Sequence, residues 1–404
     1  MNAARLGLLV AILLGIALAN DWSLPDRLIV LLLVALFLSW VWSRFSLQRL
    51  GLRRTVRSDR LRVGDWLVEE LALINHSWIP RVWVEVHDFS SLAGHRAGHV
   101  MSLPGRGESS WLVETRCDHR GIFRLGPVAV RSGDPMGLFV RQRTIPAIHE
   151  VLVYPPSVDV RDVAIPTASM QGGQPISRRH APVAQTVAGI REYVPGDALN
   201  RIAWTATARQ GRMMVKEFEP EPSSDVWVLL DLGHDPLEGL PDATRHEHLR
   251  DLDGKIEYSI AVAGSLVERA LQDGRKAGLI INREMPIRIE PDASSRQWLK
   301  VFETLAVVTP FGNRDLSTAL EADGRRFTRM NGLMVVTSRT SGPWIVALRS
   351  LVQRGVPVAV VLIGTDDGDP VVGDLLAAHV WVSQLGVGAG LETASGSARN
   401  AFRP

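Results

Sequence analysis

The chain of 404 residues carries 45 lysines and arginines against 43 aspartates and glutamates, a formal net charge of +2, with 46% hydrophobic and 22% charged residues. That balance is globular and excludes a general electrostatic pull toward nucleic acid, so charge informs only where it clusters. A single cysteine, Cys117, excludes an intramolecular disulfide, a cysteine zinc site and a dithiol redox pair, and the length predicts two folded domains besides the N-terminus.

Two apolar runs open the chain, residues 6–19 and 28–42, the second broken only by Ser39. With their interfacial ends they extend to 3–20 and 24–43, which predicts a hairpin of two transmembrane helices over residues 1–45, since about 20 residues cross a bilayer core. Trp22, Trp40 and Trp42 suit the headgroup level. A cleaved secretory signal is the alternative for the first run, with Arg5 as its basic region and Ala17-Leu18-Ala19 as its cleavage site. Orientation follows from Arg44, Arg49, Arg53, Arg54, Arg57, Arg60 and Arg62, opposed only by Asp59, a flank that the positive-inside rule keeps cytoplasmic. Asp21, Asp26 and Arg27 fall in the connecting loop on the far side.

Residues 46–165 alternate in short bursts rich in β-branched and aromatic residues. Strands are predicted at 66–71, 82–87, 111–116, 121–131 and 150–154, and evenly spaced strands without helices predict an immunoglobulin-like β-sandwich. Asp134-Pro135-Met136-Gly137 reads as a turn. His76, His87, His95, His99 and His119 show no regular ligand spacing, so they are assigned to surface and loops and no metal is predicted.

Residues 166–224 hold a segment unlike an ordinary linker, REYVPGDALNRIAWTATARQGRMMVKEFEPE from Arg191 to Glu221. Pro195-Gly196-Asp197 is a turn, Asp197 is placed to cap a helix over 198–209, and 213–218 reads as a strand. Arg191, Glu192, Tyr193, Pro195, Gly196, Asp197, Arg201, Ile202, Trp204, Ala208, Arg209 and Glu217 resemble the central motif of the bacterial domain of unknown function 58 family. Arg120-Gly121-Ile122-Phe123-Arg124-Leu125-Gly126-Pro127 and Asp134-Pro135-Met136-Gly137-Leu138-Phe139 are similar to further family motifs. The resemblance implies a paired-helix membrane anchor, a C-terminal domain like von Willebrand factor A domains, and partnership with MoxR-class AAA ATPases.

Residues 225–386 fit such a doubly wound α/β domain on their own pattern. The run Val226-Trp227-Val228-Leu229-Leu230-Asp231 is a central parallel strand ending in a carboxylate. Helices at 255–272, 296–307 and 344–354 alternate with strands at 277–282, 332–337 and 357–363. Von Willebrand A domains hold Mg²⁺ through a D-x-S-x-S loop, a threonine and a later aspartate. Here the first loop reads Asp231-Leu232-Gly233-His234-Asp235, Arg314 or Asp315 stands where the threonine is sought, and the later strand ends in Thr337-Ser338. Asp231 and Asp235 remain as oxygen donors of a degenerate loop, and the metal site is predicted to be lost.

His246-Glu247-His248 lacks the spacing of a zinc-protease helix, and Gly386, Gly388 and Gly390 open no helix, so residues 387–404 read as a flexible tail. No Walker lysine motif or nucleophile elbow occurs, which predicts a non-enzymatic chain without cofactor, nucleic acid or small-molecule substrate. In the motif, Arg191, Asp197, Arg201, Trp204, Arg209 and Lys216 either form a binding surface or serve the fold, with Trp204 in the core and the arginines paired to Glu192, Glu217 or Glu219. The functional expectation is a scaffold or adaptor in the bacterial inner membrane, multi-pass, with its soluble domains in the cytoplasm and an AAA ATPase as partner. The competing expectation is an envelope-associated hydrolase or transferase using Asp197 and Asp231.

Overall fold

The computed structural model describes residues 11–12, 23–166, 187–194, 202–218, 225–233, 242–309, 314–365, 368–387 and 399–400. Tertiary contacts separate the chain into two units, Met1–Pro156 with Glu303–Val307, and Ser157–Phe302 with Val308–Pro404.

The first unit opens with helix α1 (Ser23–Phe45), whose part Arg27–Phe45 is long and apolar enough to cross a membrane. Leu28, Leu31, Phe37 and Trp40 stand exposed along it, the reverse of a helix that feeds a soluble core. Of the other expected span, 3–20, only 11–12 lie among the described residues. The chain turns sharply after α1, with Ser46 N–H donating to Ser43 O and Gln48 N–H to Phe45 O. Leu47 and Leu50 then enter the sandwich core, which ties the helix end to the strands.

The sandwich contains β1 (Leu50–Val56), β2 (Arg60–Arg62), β3 (Trp66–Asn75), β4 (Arg81–Asp88), β5 (His99–Leu103), β6 (Glu108–Arg116), β7 (Gly121–Leu125), β8 (Val128–Gly133), β9 (Val140–Ile145) and β10 (His149–Tyr154). They form three sheets with strand orders β1-β3-β6, β5-β4-β8-β9 and β2-β10-β7. Leu73 of β3, Val84 and Val86 of β4, Leu103 of β5 and Val128 and Val130 of β8 share one buried cluster. Leu67 of β3 joins Leu125, Val151 and Val153 in another. Period-two alternation produces this packing, since every second side chain faces the same side of a strand. The single strand expected over 121–131 is two strands in different sheets. Gly126 breaks it with a φ of 82°, and a Cβ there would lie 2.3 Å from Ala147 O; Pro127 brings no N–H to continue a ladder.

The second unit takes up residues 157–165, expected at the end of the sandwich. Val158 N–H donates to Ser265 Oγ, and the Arg269 guanidinium donates to Val160 O and Val163 O. A two-stranded antiparallel ribbon follows, β11 (Val187–Glu192) with β12 (Met214–Phe218), and between them lies the short helix α2 (Trp204–Gln210). The α/β layer contains β13 (Val226–Asp231), α3 (Asp242–Gln272), β14 (Ala277–Asn282), β15 (Ile287–Asp292), α4 (Ser295–Val307), α5 (Leu316–Asp323), β16 (Gly332–Thr337), α6 (Trp344–Gln353), β17 (Val358–Ile363), α7 (Pro370–Ala377), β18 (Trp381–Leu385) and β19 (Arg399–Asn400).

Its sheet runs β15-β14-β13-β16-β17-β18-β19, parallel through the middle, with β15 and β19 antiparallel at the edges. All residues of β13, β14, β16 and β17 are buried, as expected for strands covered on both faces. Trp227, Leu229, Val335, Val360 and Leu362 pack one face against Trp344, Leu348 and Leu351 of α6. The edge strand β15, the helices α5 and α7 and the strand β18 have no counterpart in the sequence reading. Arg399 and Asn400 pair with β18 inside the segment expected to be a flexible tail.

Candidate functional site

The motif segment builds a small element of its own. Tyr193 N–H donates to Met213 O and Ala203 N–H to Met214 O, while Ile202 bridges Val215, so the backbone before α2 is tied to the start of β12 and the residue ahead of it. Met214 N–H donates to Thr207 Oγ1 at 3.0 Å, which fastens α2 itself to that strand. With 202 held in a β-bridge, the helix expected over 198–209 is corrected to Trp204–Gln210 with Ala203 in the cap position. The physical reason is the strand pairing of Ile202, which fixes extended backbone where the helical pattern would continue.

Trp204 is 69% exposed, so of the two expectations for it the one that packs it in the core is not met. Ile190, Val194 and Met213 are also exposed, as are Arg191, Arg209 and Arg212. Of the expected internal ion pairs, Glu192 has one, with Arg212 at 3.3 Å and open to solvent, while Arg191 donates to the Glu192 carbonyl. Such an exposed pair contributes little to stability. Pro195, Gly196, Asp197 and Arg201 lie outside the described residues, and Glu217 is placed within β12.

At the carboxyl ends of β13, β14 and β16 a second constellation closes around Asp231. Its Oδ1 accepts from Gly233 N–H at 3.2 Å and Asn282 Nδ2 at 2.8 Å; its Oδ2 accepts from Thr337 Oγ1 and Arg339 Nε, both at 2.9 Å. Burial pushes the Asp231 carboxyl upward, against the pull of the Arg339 charge and of the Asn282 and Thr337 hydrogen bonds. Gly233 is required by contact, because a Cβ there would lie 2.5 Å from Arg339 Nη2 and 2.7 Å from Arg314 O. A divalent cation needs several oxygen donors on open lone pairs. Both oxygens of Asp231 are already taken by two donors each and a guanidinium stands among them, so this set does not fit a cation. Arg314 contributes its carbonyl, to Asn282 Nδ2, and Asp315 accepts from Ser317 Oγ. Asp235 lies outside the described residues.

The third constellation was not anticipated. Arg54 of β1, Glu69 of β3, Asp88 of β4 and His95 meet inside the sandwich with side chains no more than 4% exposed. Arg54 reaches Asp88 at 2.6 Å and Glu69 at 3.4 Å; His95 Nε2 lies 3.1 Å from Asp88 and 3.2 Å from Glu69, and its Nδ1 lies 2.9 Å from Thr115 Oγ1. His95, assigned from sequence to surface or loop, is therefore a buried ion-pair member. Burial alone would lower its pKa, but Asp88 and Glu69 hold it up to about 9. Asp88 stays below its ordinary value: burial raises it, and His95 and Arg54 outweigh that.

Glu69, Asp88 and His95 offer atoms close enough together to ligate one metal ion. The outer oxygens of both carboxylates are engaged by Arg54, however, and with His95 protonated two cations balance two anions. A metal would have to displace the His95 proton and leave excess positive charge in a dry interior, which burial opposes. We read the group as a protonated ion cluster. The alternation could have revealed it: Arg54 is in phase with Leu50 and Leu52, Glu69 with Leu67, Leu71 and Leu73, and Asp88 with Val84 and Val86.

An apolar N-terminal helix, a β-sandwich and an α/β layer with a parallel core define the class of protein. Residues 189–380 match the model of the family described as protein of unknown function DUF58. It is 29% identical over 164 residues to the uncharacterized protein YeaD of Bacillus subtilis, covering 40% of this chain and 36% of that one. It is 28% identical over 193 residues to the uncharacterized protein Rv1480 of Mycobacterium tuberculosis, covering 46% and 57%. Among solved structures, the CARDB domain of a Pyrococcus furiosus protein matches 26% of this chain and 86% of its own at 14% identity, with a TM-score of 0.21. A proximal thread matrix protein of the mussel byssus matches 38% and 41% at 14% identity, with a TM-score of 0.28.

Proposed function

We propose that this protein is a membrane-tethered adaptor of the bacterial inner membrane, with its sandwich and α/β domain in the cytoplasm and residues 3–20 as the first of two spans. The α/β domain is read as von Willebrand A-like, supported by the strand order with an antiparallel β15 at the edge of a parallel core. Its usual cation is replaced by Arg339, so this site neither holds Mg²⁺ nor offers Asp231 as a base or nucleophile. The observation that carries the adaptor reading is the exposure of Trp204, with Ile190, Val194 and Met213, among arginines on one ribbon-and-helix element. Tryptophan and arginine are the residue types that dominate binding hot spots. A MoxR-class AAA ATPase is the proposed partner, working in assembly or maturation of other proteins.

The test is in-cell crosslinking followed by purification in mild detergent, comparing the wild type with a Trp204→Ala, Arg209→Ala double variant. Capture of an AAA ATPase by the wild type and its loss in a variant with unchanged thermal melting is the expected result. Equal capture by both, or capture of no ATPase by either, overturns the assignment of the motif as the docking element.

A further inference from the structure

The strand registers gather four connections at one end of the sandwich. Leu50 pairs with Asn75, Ile74 with Glu108, Arg81 with Leu103 and Val84 with Ser132. The α1–β1 link (46–49), the β3–β4 loop (76–80), the β5–β6 turn (104–107) and the β8–β9 turn (134–139) therefore share the end at which α1 enters. The loops are joined by His76 N–H to Arg49 O, Arg106 N–H to Ser77 O, and the buried Arg81 guanidinium to Gln48 O.

Two of the most exposed apolar side chains of the molecule stand on these loops, Trp78 at 76% and Met136 at 64%. The turn that carries Met136 is rigid, because the buried Asp134 carboxylate accepts from Met136 N–H and Phe139 N–H. Its D-P-M-G-L-F sequence is one of the family-like motifs that the adaptor reading leaves without a role. The exposed ionised groups of the helix end and these loops are Arg44, Arg49 and Arg106; the one carboxylate among them, Asp134, is buried.

We infer that this end of the sandwich rests on the bilayer surface, with Trp78 and Met136 in the headgroup layer and Arg44, Arg49 and Arg106 against anionic lipid phosphates. Indole rings settle at that depth, and each arginine near an anionic surface adds attraction. The inference rests on the reading of α1 as a membrane span and adds to it: α1 does not merely tether the domain, it sets the domain on the membrane in one orientation. The occupant is the lipid surface because α1 leads out of the same end after a turn of a few residues, packed on the core through Leu47.

The one cysteine, Cys117, is buried, and unlabelled wild type under the same treatment is the control for the test. Trp78→Cys, Met136→Cys and Trp66→Cys are each labelled with bimane in the full chain and reconstituted into phosphatidylcholine vesicles containing nitroxide lipid, with and without phosphatidylglycerol. Trp66 is also exposed but begins β3, about 30 Å from the other end of that strand. The expected result is loss of about half the emission or more at 78 and 136, unchanged emission at 66, and stronger quenching at 78 in the anionic vesicles. A chain that fails to float with the vesicles overturns the membrane span and this inference together. A chain that floats but is quenched equally at all three positions, or not at 78 and 136, overturns the docking surface alone. Equal quenching at 78 with and without phosphatidylglycerol overturns the assignment of the arginines.

Discussion

Each of the two units buries a carboxylate against an arginine, and they do so in different ways. Asp231 in the α/β layer is held by one guanidinium and neutral donors, so its partner cannot lose its charge in any ordinary pH range. In the sandwich, Glu69 and Asp88 share Arg54 with His95, whose charge is conditional on pH. The first cluster therefore pairs its carboxylate with a guanidinium, and the second makes part of the sandwich's stability depend on one proton.

The largest effect expected is from Arg339→Ala, which strands Asp231 in a dry interior; chemical denaturation should show a loss of about 3–5 kcal/mol, and little loss would mean that the cluster is hydrated. Next comes the sandwich. His95 rises from 6.5 to about 9 in the folded chain, so its contribution is fully present below 6.5 and is lost as pH rises through 9. It amounts to about 3 kcal/mol, read as a fall in melting temperature between pH 7 and 10 that is absent in His95→Leu. A wild type and a variant with parallel pH profiles would break the contrast between the two clusters. Gly233→Ala should cost about 1–3 kcal/mol, because the added methyl meets both Arg339 and the Arg314 carbonyl. Trp204→Ala should change stability by less than about 0.5 kcal/mol while abolishing partner capture; a large loss of stability would return Trp204 to a structural role.

How much of this was legible in the sequence follows from the range of each interaction. Strands β13, β14, β16 and β17 and helices α4 and α6 are continuous apolar or 3.6-periodic runs, and they were read within a residue or two. Those signals are local, set by which faces must leave water. Strand β15, with its mixed Ile287-Arg288-Ile289-Glu290, is an edge strand whose outer side chains meet solvent, so its composition does not distinguish it from a loop. The motif told that residues near 204 matter, but a helical pattern extended too far because the pairing of Ile202 with Val215 is not a sequence property.

By itself the sequence determined the apolar N-terminal segment, the single cysteine, the alternation that makes a sandwich, the buried parallel strands and the DUF58 motif. Each depends only on residue type and spacing along the chain. The tertiary structure alone decided that Arg339, 108 residues beyond Asp231, is the residue that donates to its carboxylate. It alone decided that His95 is a buried partner of Glu69 and Asp88, and that Trp78 and Met136 stand at the end of the sandwich from which α1 departs. Those facts arise from strand register and loop closure, which bring distant residues within a few ångströms, and no local pattern encodes which distant residue arrives.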